Sequence, residues 1–278
     1  MLAISIYPID PVAFSFGPVE IKWYGLSYVV GLLLGWLYVR NLIASTYDWP
    51  CSAQPFLASE ADDLLVYIAI GVVVGGRLGF VLLYEPSYYY NKPWDIFAVW
   101  QGGMAFHGAL LGCGLAVWIF TCSRMHNPLS VMDFCSAAAP IGLFFGRIAN
   151  FINGELWGRP TDMPWGIIFP AAQYNGNDST PVIRHPSQLY EAVLEGLVLF
   201  LILRLLVRYY NAIRFPGFLT GVFLVGYGLT RSFCEFFRQP DLEHFLSFFA
   251  FTPGIVYSVP MILLGLWFIR SSQTKVMA

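Results

Sequence analysis

Long apolar stretches alternate with short polar connections along this chain of 278 residues. A helix needs about 20 consecutive apolar residues to cross the hydrocarbon core of a bilayer. Segments of about ten residues with alternating polarity, which would indicate a β-barrel, are not found. The pattern predicts an all-α, polytopic integral membrane protein with seven transmembrane helices in one membrane-embedded domain, residues 1–278. The predicted spans are about 23–43, 64–84, 96–121, 131–151, 189–207, 217–237 and 253–269.

The composition supports the same class. Apolar residues make up 57% of the chain and charged residues 12%, whereas an ordinary soluble domain has about 45–50% and about 25%. The formal net charge is −2, so a nucleic-acid binder with a basic face is not expected. The high apolar content also excludes a disordered chain.

Lys and Arg in the connections indicate the orientation, because cytoplasmic loops carry more of them. Seven spans put the termini on opposite sides, and the side of the C-terminus holds the basic loop 204–214. We therefore predict a cytoplasmic C-terminus and a periplasmic or external N-terminus. The connection 152–188 is then external, and its Gly, Pro, Asn and Trp residues predict an ordered, irregular head.

Three arginines lie inside or near the ends of apolar spans: Arg77, Arg147 and Arg231. An intramembrane Arg is costly unless it is paired or hydrated, so it marks a functional site by default. The predicted orientation puts all three toward the external ends of their helices. Other polar residues at similar depth are His107, Asn150, Gln188, Glu191 and Glu235. We interpret these groups as lining one polar cavity in the outer half of the membrane.

Helical spacing groups some of these residues. Arg147, Asn150 and Asn153 follow each other at three-residue intervals and predict one polar helix edge. A second stripe allows Arg231 to pair with the acid four residues later; its members are Tyr227, Arg231, Glu235 and Arg238.

Structural interpretations stay open beside the functional ones. Arg147 and Arg231 could be neutralised by Glu155 and Glu235 and serve only the fold. His107, which follows a glycine-rich break in its span, could be a helix-packing residue. The spacing of His and Cys indicates no metal site, and no cofactor is expected.

The functional interpretation is an anion site. The planar guanidinium of Arg binds two phosphate oxygens at once, and the phosphates available at this depth are phospholipid headgroups. A neutral His beside them could act as a general base. No Ser–His–Asp elbow, His-Glu-x-x-His motif or P-loop is present. An anion or lipid transporter with an Arg-lined cavity is the alternative, and a non-enzymatic lipid-binding scaffold is a third possibility.

At these same residues the sequence resembles the bacterial prolipoprotein diacylglyceryl transferases. The longest block runs from Gly146 to Arg159, and other blocks follow in the family's order over nearly the whole chain. They are Trp23–Leu26, Gly75–Gly79, His185–Glu191, Tyr227–Arg231 and Glu235–Asp241. One departure is Ala109, where the family usually has a glycine two residues after the His.

The resemblance implies a multi-pass enzyme of the bacterial cytoplasmic (inner) membrane. It would transfer the diacylglyceryl group of phosphatidylglycerol to the lipobox cysteine in the signal peptide of a prolipoprotein. The products would be a thioether and glycerol 1-phosphate. Its partners would be phosphatidylglycerol, prolipoprotein signal peptides and membrane lipids.

The resemblance also implies residue roles. Arg147 and Arg231 would bind the phosphoglycerol headgroup, and His107 would take the thiol proton, unless an Arg lowers the thiol pKa enough to make a base unnecessary. The expected catalytic residues are His107, Arg147, Arg231, Tyr24, Asn150 and Tyr227. The expected substrate-binding residues are Arg147, Arg231, Asn150, Glu155, Gly158, Glu235 and Arg77. Glu155 and Glu235 would orient the two arginines.

Overall fold

The chain divides into two compact units in a computed structural model. The smaller unit contains Tyr38–Met132, and the larger unit combines Met1–Leu37 with Asp133–Ala278. The single domain predicted over 1–278 stays a prediction. The structure describes residues 4–5, 10–17, 19–45, 55–99, 102–173, 182–239 and 253–274.

Helices dominate the described residues. In chain order they are α1 (Trp23–Ala44), α2 (Glu60–Leu83), α3 (Pro86–Asn91), α4 (Phe106–Arg124), α5 (Pro128–Ile152), α6 (Ser187–Glu191), α7 (Leu199–Tyr210), α8 (Phe218–Cys234) and α9 (Pro253–Thr274). A π-helical segment, Ala192–Val198, joins α6 to α7. Short 3₁₀ turns occupy Pro93–Phe97, Pro170–Gln173 and Ala212–Arg214.

Each predicted span coincides with helical structure, but the start of the third was wrong. That span was expected from about residue 96, whereas α4 begins at Phe106. A 3₁₀ turn precedes it, and both Gly102 and Gly103 have positive φ angles, 88° and 78°. A right-handed helix cannot continue through these two glycines, so the described residues Gly102–Ala105 lie outside α4 despite the apolar composition of the predicted span.

Among the residues that the structure describes, four helices are long and apolar enough to cross a membrane: α1, α2, α5 and the part of α9 from Gly254 to Ser272. Gly108–Arg124 and Phe218–Cys234 are shorter apolar helices. Large apolar side chains cover helix surfaces, and Leu82 and Leu111 are 68% and 75% exposed. An exposed apolar surface of this extent fits contact with lipid. The number of spans, seven, and the orientation of the termini stay predictions.

Two small sheets were not predicted. Strand β1 (Ile4–Ser5) pairs in parallel with β4 (Ile167–Ile168), which pairs antiparallel with β5 (Ile183–Arg184). Strands β2 (Val12–Phe16) and β3 (Val19–Lys22) form a hairpin ahead of α1. Strands of two to five residues are too short to give a recognisable alternation of polar and apolar positions. The irregular 152–188 segment therefore carries sheet pairings as well as loops.

Within the larger unit, a buried carboxylate fixes the start of α8. Asp133 lies in α5 and is fully buried. Its oxygens accept hydrogen bonds from the backbone N–H groups of Gly217, at 2.7 Å, and Thr220, at 2.8 Å, and from the Thr220 hydroxyl. The first N–H groups of a helix have no partner within the helix. Asp133 therefore caps α8 from another helix and ties α5 to the helix that carries Arg231.

Candidate active site

Arg147 lies one turn before the end of α5, and its guanidinium meets two fully buried carboxylates of the larger unit. Arg147 Nη1 is 3.0 Å from Glu191 Oε2. Its Nε and Nη2 donate to Glu195 Oε2 at 3.2 and 3.0 Å. The expected pairing with Glu155 was therefore wrong, because Glu155 Oε1 instead accepts a hydrogen bond of 2.8 Å from Asn150.

Arg231, near the end of α8, shares one of these carboxylates. Arg231 Nη1 donates to Glu191 Oε1 at 2.9 Å, and its Nη2 is 2.9 Å from Glu235 Oε2. The pair with Glu235 confirms the one predicted from their four-residue spacing. Arg238, the last member of the predicted polar stripe, is buried and donates to Glu191 Oε1 at 3.3 Å. Glu191 thus binds three guanidinium groups.

These six residues form what we call the Arg–Glu cluster: Arg147, Arg231, Arg238, Glu191, Glu195 and Glu235. Three positive groups face three negative groups, so their formal charges balance. The side chains of Arg147 and Arg231 are each 15% exposed, whereas both oxygens of Glu191 and Glu195 lie on fully buried side chains. Buried charges are tolerated only when they are paired in this way.

Aromatic and thiol groups surround the cluster. Tyr227 on α8 lies within electrostatic range of Arg147 and Arg231. Tyr24, in the first turn of α1, interacts with Arg147 and Glu155 across space, and its hydroxyl is 3.0 Å from that of Tyr28. Four predicted site residues, Tyr24, Asn150, Glu155 and Tyr227, therefore lie near Arg147 or are bonded to its neighbours.

The loop after α5 is held against the site by backbone contacts. Gln188 Nε2 donates to the backbone oxygen of Glu155, and the Ser187 hydroxyl donates to that of Leu156. Gly158 donates its backbone N–H to the oxygen of His185 at 2.9 Å. A Cβ at Gly158 would lie 2.4 Å from that oxygen and 2.6 Å from the backbone oxygen of Phe237. Gly158 is therefore tightly packed, and its expected contact with substrate stays a prediction.

Sequence reasoning missed two parts of this site. Glu195 was not singled out, although a second acid four residues after Glu191 in an apolar span requires a positive partner. Gly254 was missed as well. A Cβ there would lie 2.4 Å from Glu235 Oε2, so α9 approaches the cluster at a glycine. The sequence offered no comparable signal for this second contact.

Arg77, in the smaller unit, has a different environment from the one predicted. Its Nε donates to the backbone oxygen of Ile96 at 2.9 Å. Its other donors go to the backbone oxygens of Gly102, Gly103, Asp95 and Ala98. A guanidinium has five N–H donors, and these five bonds use all of them. Arg77 therefore organises the loop before α4, and its expected contact with substrate stays a prediction.

His107 lies in the first turn of α4, and its side chain is outside the described residues. Its role as a base stays a prediction. Within the part of the chain that the structure describes, no group of three or more His, Cys, Asp or Glu residues is arranged to hold a metal ion.

Apolar helices and a buried cluster of paired arginines and carboxylates are the features of an integral membrane protein with a polar site. A family model described as prolipoprotein diacylglyceryl transferase matches residues 11–270. The chain belongs to the prolipoprotein diacylglyceryl transferase family and is a transferase.

Curated relatives match it over nearly their full length, and each is called phosphatidylglycerol–prolipoprotein diacylglyceryl transferase. The protein of Rhizobium leguminosarum bv. trifolii is 51% identical, covering 96% of this chain and 93% of its own. That of Methylocella silvestris is 50% identical, covering 95% and 94%. That of Rhizobium meliloti is 47% identical, covering 100% and 97%. This likeness favours the transferase prediction over the transporter alternative.

Proposed function

We propose that this protein transfers the diacylglyceryl group of phosphatidylglycerol to the lipobox cysteine of a prolipoprotein signal peptide. The names of the relatives supply the two substrate classes. The observation that carries the assignment to this site is the sharing of Glu191 by Arg147 and Arg231. One carboxylate holds two guanidinium groups side by side, where one phosphate group could bind both.

In the proposed reaction the cysteine sulfur attacks the glyceryl carbon that bears the phosphate. A carbon–sulfur bond forms and the carbon–oxygen bond breaks, with its electron pair staying on the phosphate oxygen. The thiol proton leaves to a base, for which His107 is the candidate. Glycerol 1-phosphate departs, and negative charge develops on its phosphate. Arg147 and Arg231 would stabilise that charge more strongly than the charge of the intact diester.

The other site residues would support the two arginines. Glu235 orients Arg231 through an ion pair, and Glu155 fixes the amide of Asn150 through a hydrogen bond. Tyr227 lies close enough to both arginines to contact a bound headgroup. In this proposal Glu155 acts on Asn150 and not directly on Arg147.

A labelled transfer assay tests the proposal. Purified protein is mixed with phosphatidylglycerol that carries one label in an acyl chain and another in the headgroup glycerol, together with a lipobox peptide. We expect the acyl label on the peptide and an equal amount of the headgroup label in glycerol phosphate. A peptide with Ser in place of the lipobox Cys is the control. Failure of folded protein to label the Cys peptide, or release of label without transfer, would contradict it.

We further propose seven membrane spans, an external N-terminus and location in the bacterial cytoplasmic membrane. The apolar lengths and the basic 204–214 loop support this arrangement. Single cysteines introduced in residues 204–214 and 159–165 of a variant without its native cysteines would test it in intact cells. A membrane-impermeant thiol reagent should label the second group alone. Labelling of cysteines in residues 204–214 in sealed cells would contradict the proposed orientation and support the opposite one.

A further inference from the structure

The Arg–Glu cluster poses a charge problem for an anionic ligand. Its three guanidinium groups already face three carboxylates, and the ion pairs and hydrogen bonds of the Arg147 guanidinium are made with Glu191 and Glu195. A phosphodiester that binds Arg147 brings a further negative charge into a site where Glu191 and Glu195 are fully buried. An uncompensated charge in such an environment is expensive.

Glu195 differs from the other two carboxylates in its contacts. Both oxygens of Glu191 meet guanidinium nitrogens, since Oε1 bonds Arg231 and Arg238 and Oε2 lies 3.0 Å from Arg147. Glu195 engages Arg147 through Oε2 alone. Its Oε1 is buried and has no hydrogen-bond partner among the described residues. The same holds for Glu191 Oε2 and Glu235 Oε2, but each of those oxygens lies within 3.0 Å of a guanidinium nitrogen. Glu195 is therefore the carboxylate with an oxygen available for a proton.

Glu195 also has fewer positive partners to lose than Glu191, and unlike Glu235 its partner is Arg147. Its one ion pair is with Arg147, whereas Glu191 pairs with three arginines. Protonation of Glu191 would weaken three pairs, but protonation of Glu195 would weaken one. That one pair is the contact that a phosphate oxygen has to replace in order to bind the Nε and Nη2 edge of Arg147.

We propose that Glu195 is the exchangeable counterion of Arg147, which gives way to the lipid phosphate and takes up one proton as the headgroup binds. The total charge of the occupied cluster then equals that of the free cluster. This inference rests on the proposed function, because it takes the phosphatidylglycerol headgroup as the ligand of Arg147. Glu195 acts through Arg147 and is a positioning residue.

The groups that face Glu195 come from three elements. Arg147 is on α5, Glu191 is on the adjacent α6, and Arg231, Tyr227 and Cys234 are on α8. Of these, Tyr and Cys lose protons when they titrate near or above neutral pH, and Arg does not titrate. Proton uptake between pH 6 and 8 therefore points to one of the three carboxylates of the cluster. The contacts above favour Glu195.

Calorimetry can count the proton. Short-chain phosphatidylglycerol is titrated into the detergent-solubilised protein at one pH, in buffers with different ionisation enthalpies. The slope of the binding enthalpy against the buffer enthalpy gives the number of protons taken up. We expect close to one proton for the wild type, none for Glu195→Gln, and close to one for Glu195→Asp, which keeps a carboxylate. Asp62→Asn, at an exposed ion pair with Arg40, is the matched control and should behave like the wild type.

The dependence of affinity on pH gives a second measurement. If one proton accompanies binding, the Kd for the lipid rises as the pH rises, by up to tenfold per pH unit once Glu195 is ionised in the free protein. Glu195→Gln, a neutral mimic of the protonated acid, should bind with a Kd that is nearly independent of pH. Thermal unfolding of each variant shows that it is folded.

The outcomes separate this inference from the proposed function. Zero proton uptake by the wild type, or equal uptake by the wild type and Glu195→Gln, would overturn the role of Glu195. In that case an Arg147→Lys variant that loses lipid affinity would still support the headgroup site. Wild-type lipid affinity in Arg147→Lys would instead reject the headgroup site itself.

Discussion

Two buried arginines of apolar spans, Arg77 and Arg147, have opposite kinds of partners. Arg77 is 4% exposed and directs its five donors to backbone oxygens of the loop 95–103. Arg147 directs its donors to the carboxylates of Glu191 and Glu195. Both arginines satisfy the requirement that a buried guanidinium be bonded, but they do so with different consequences.

The difference concerns which partners can be replaced. A backbone oxygen is fixed by the chain, so a phosphate that displaced it from Arg77 would leave a buried carbonyl without a donor. A carboxylate carries the same charge as a phosphate and can be neutralised by a proton. Arg147 can therefore exchange one anion for another, whereas Arg77 stabilises its loop. An intramembrane arginine is thus assigned a role by its partners and not by its depth.

Of the variants considered, Arg77→Lys should have the largest effect, and this effect should be on stability. Lys has three donors, so at least two of the five backbone oxygens lose their partner, at about 1–3 kcal/mol each. We expect a clearly lower Tm in detergent, with little change in the KM for phosphatidylglycerol. Arg40→Lys, at an exposed ion pair, should leave Tm unchanged. An increase of KM in a stable Arg77→Lys protein would support the prediction that Arg77 binds substrate.

Arg147→Lys should weaken both lipid binding and turnover. A point charge cannot replace the two-pronged contact of a guanidinium with a phosphate, and the loss of charged hydrogen bonds of about 1.5–3 kcal/mol corresponds to about a 10- to 100-fold lower kcat/KM. Initial rates of labelled transfer measure this loss. Arg208→Lys, on the exposed end of α7, is the control. Near-normal rates in Arg147→Lys would mean that Arg147 serves charge balance alone.

Gly158→Ala extends the comparison to the loop beside Arg147. The added methyl group would meet the backbone oxygens of His185 and Phe237, which cannot move freely. Overpacking of this kind costs about 1–3 kcal/mol, so Tm should fall. Gly114 in α4 has open space around its Cβ direction, and Gly114→Ala should leave Tm equal or higher. Loss of lipid binding in Gly158→Ala without loss of Tm would support its predicted binding role.

The smallest expected effect is a change of Tm with pH. Burial lowers the pKa of His185, in the segment that packs on Gly158, below its usual 6.5. The unfolded chain then binds the proton more tightly than the folded protein. Stability from the neutral His is complete above about pH 6.5 and decreases as the pH falls through the lower pKa of the folded state. We expect a small fall in Tm on acidification through this range, and less of it in His185→Gln. An equal fall in both proteins would assign the effect to other groups.

The sequence predicted most of the helices but few of the contacts between them. Each predicted apolar stretch coincides with helical structure in the described residues, because the length of such a stretch is set by the thickness of the hydrocarbon core. The two small sheets were missed because two to five residues give no period. The start of α4 was misplaced because the sequence before it is as apolar as a span, whereas the described residues there give backbone oxygens to Arg77.

In the site, residue spacing correctly predicted a contact within one helix. Closeness in sequence did not predict the contacts between different helices. The pair of Arg231 and Glu235 follows from four-residue spacing, which fixes neighbours on a helix surface. The partner of Arg147 was assigned to Glu155 because it is near in sequence. Its partners in the structure, Glu191 and Glu195, are more than 40 residues away and come from another helix.

The sequence by itself determined that this protein is helical and membrane-embedded, and which arginines require partners, because hydrophobic length and the cost of a buried charge are local properties of the chain. Tertiary structure decided which partners they have. The packing of α5, α6 and α8 in the larger unit turned three arginines and three glutamates into one neutral cluster. The loop before α4, in turn, used every donor of Arg77. Charge made each arginine a candidate, and packing decided whether its partners are fixed backbone oxygens or carboxylates.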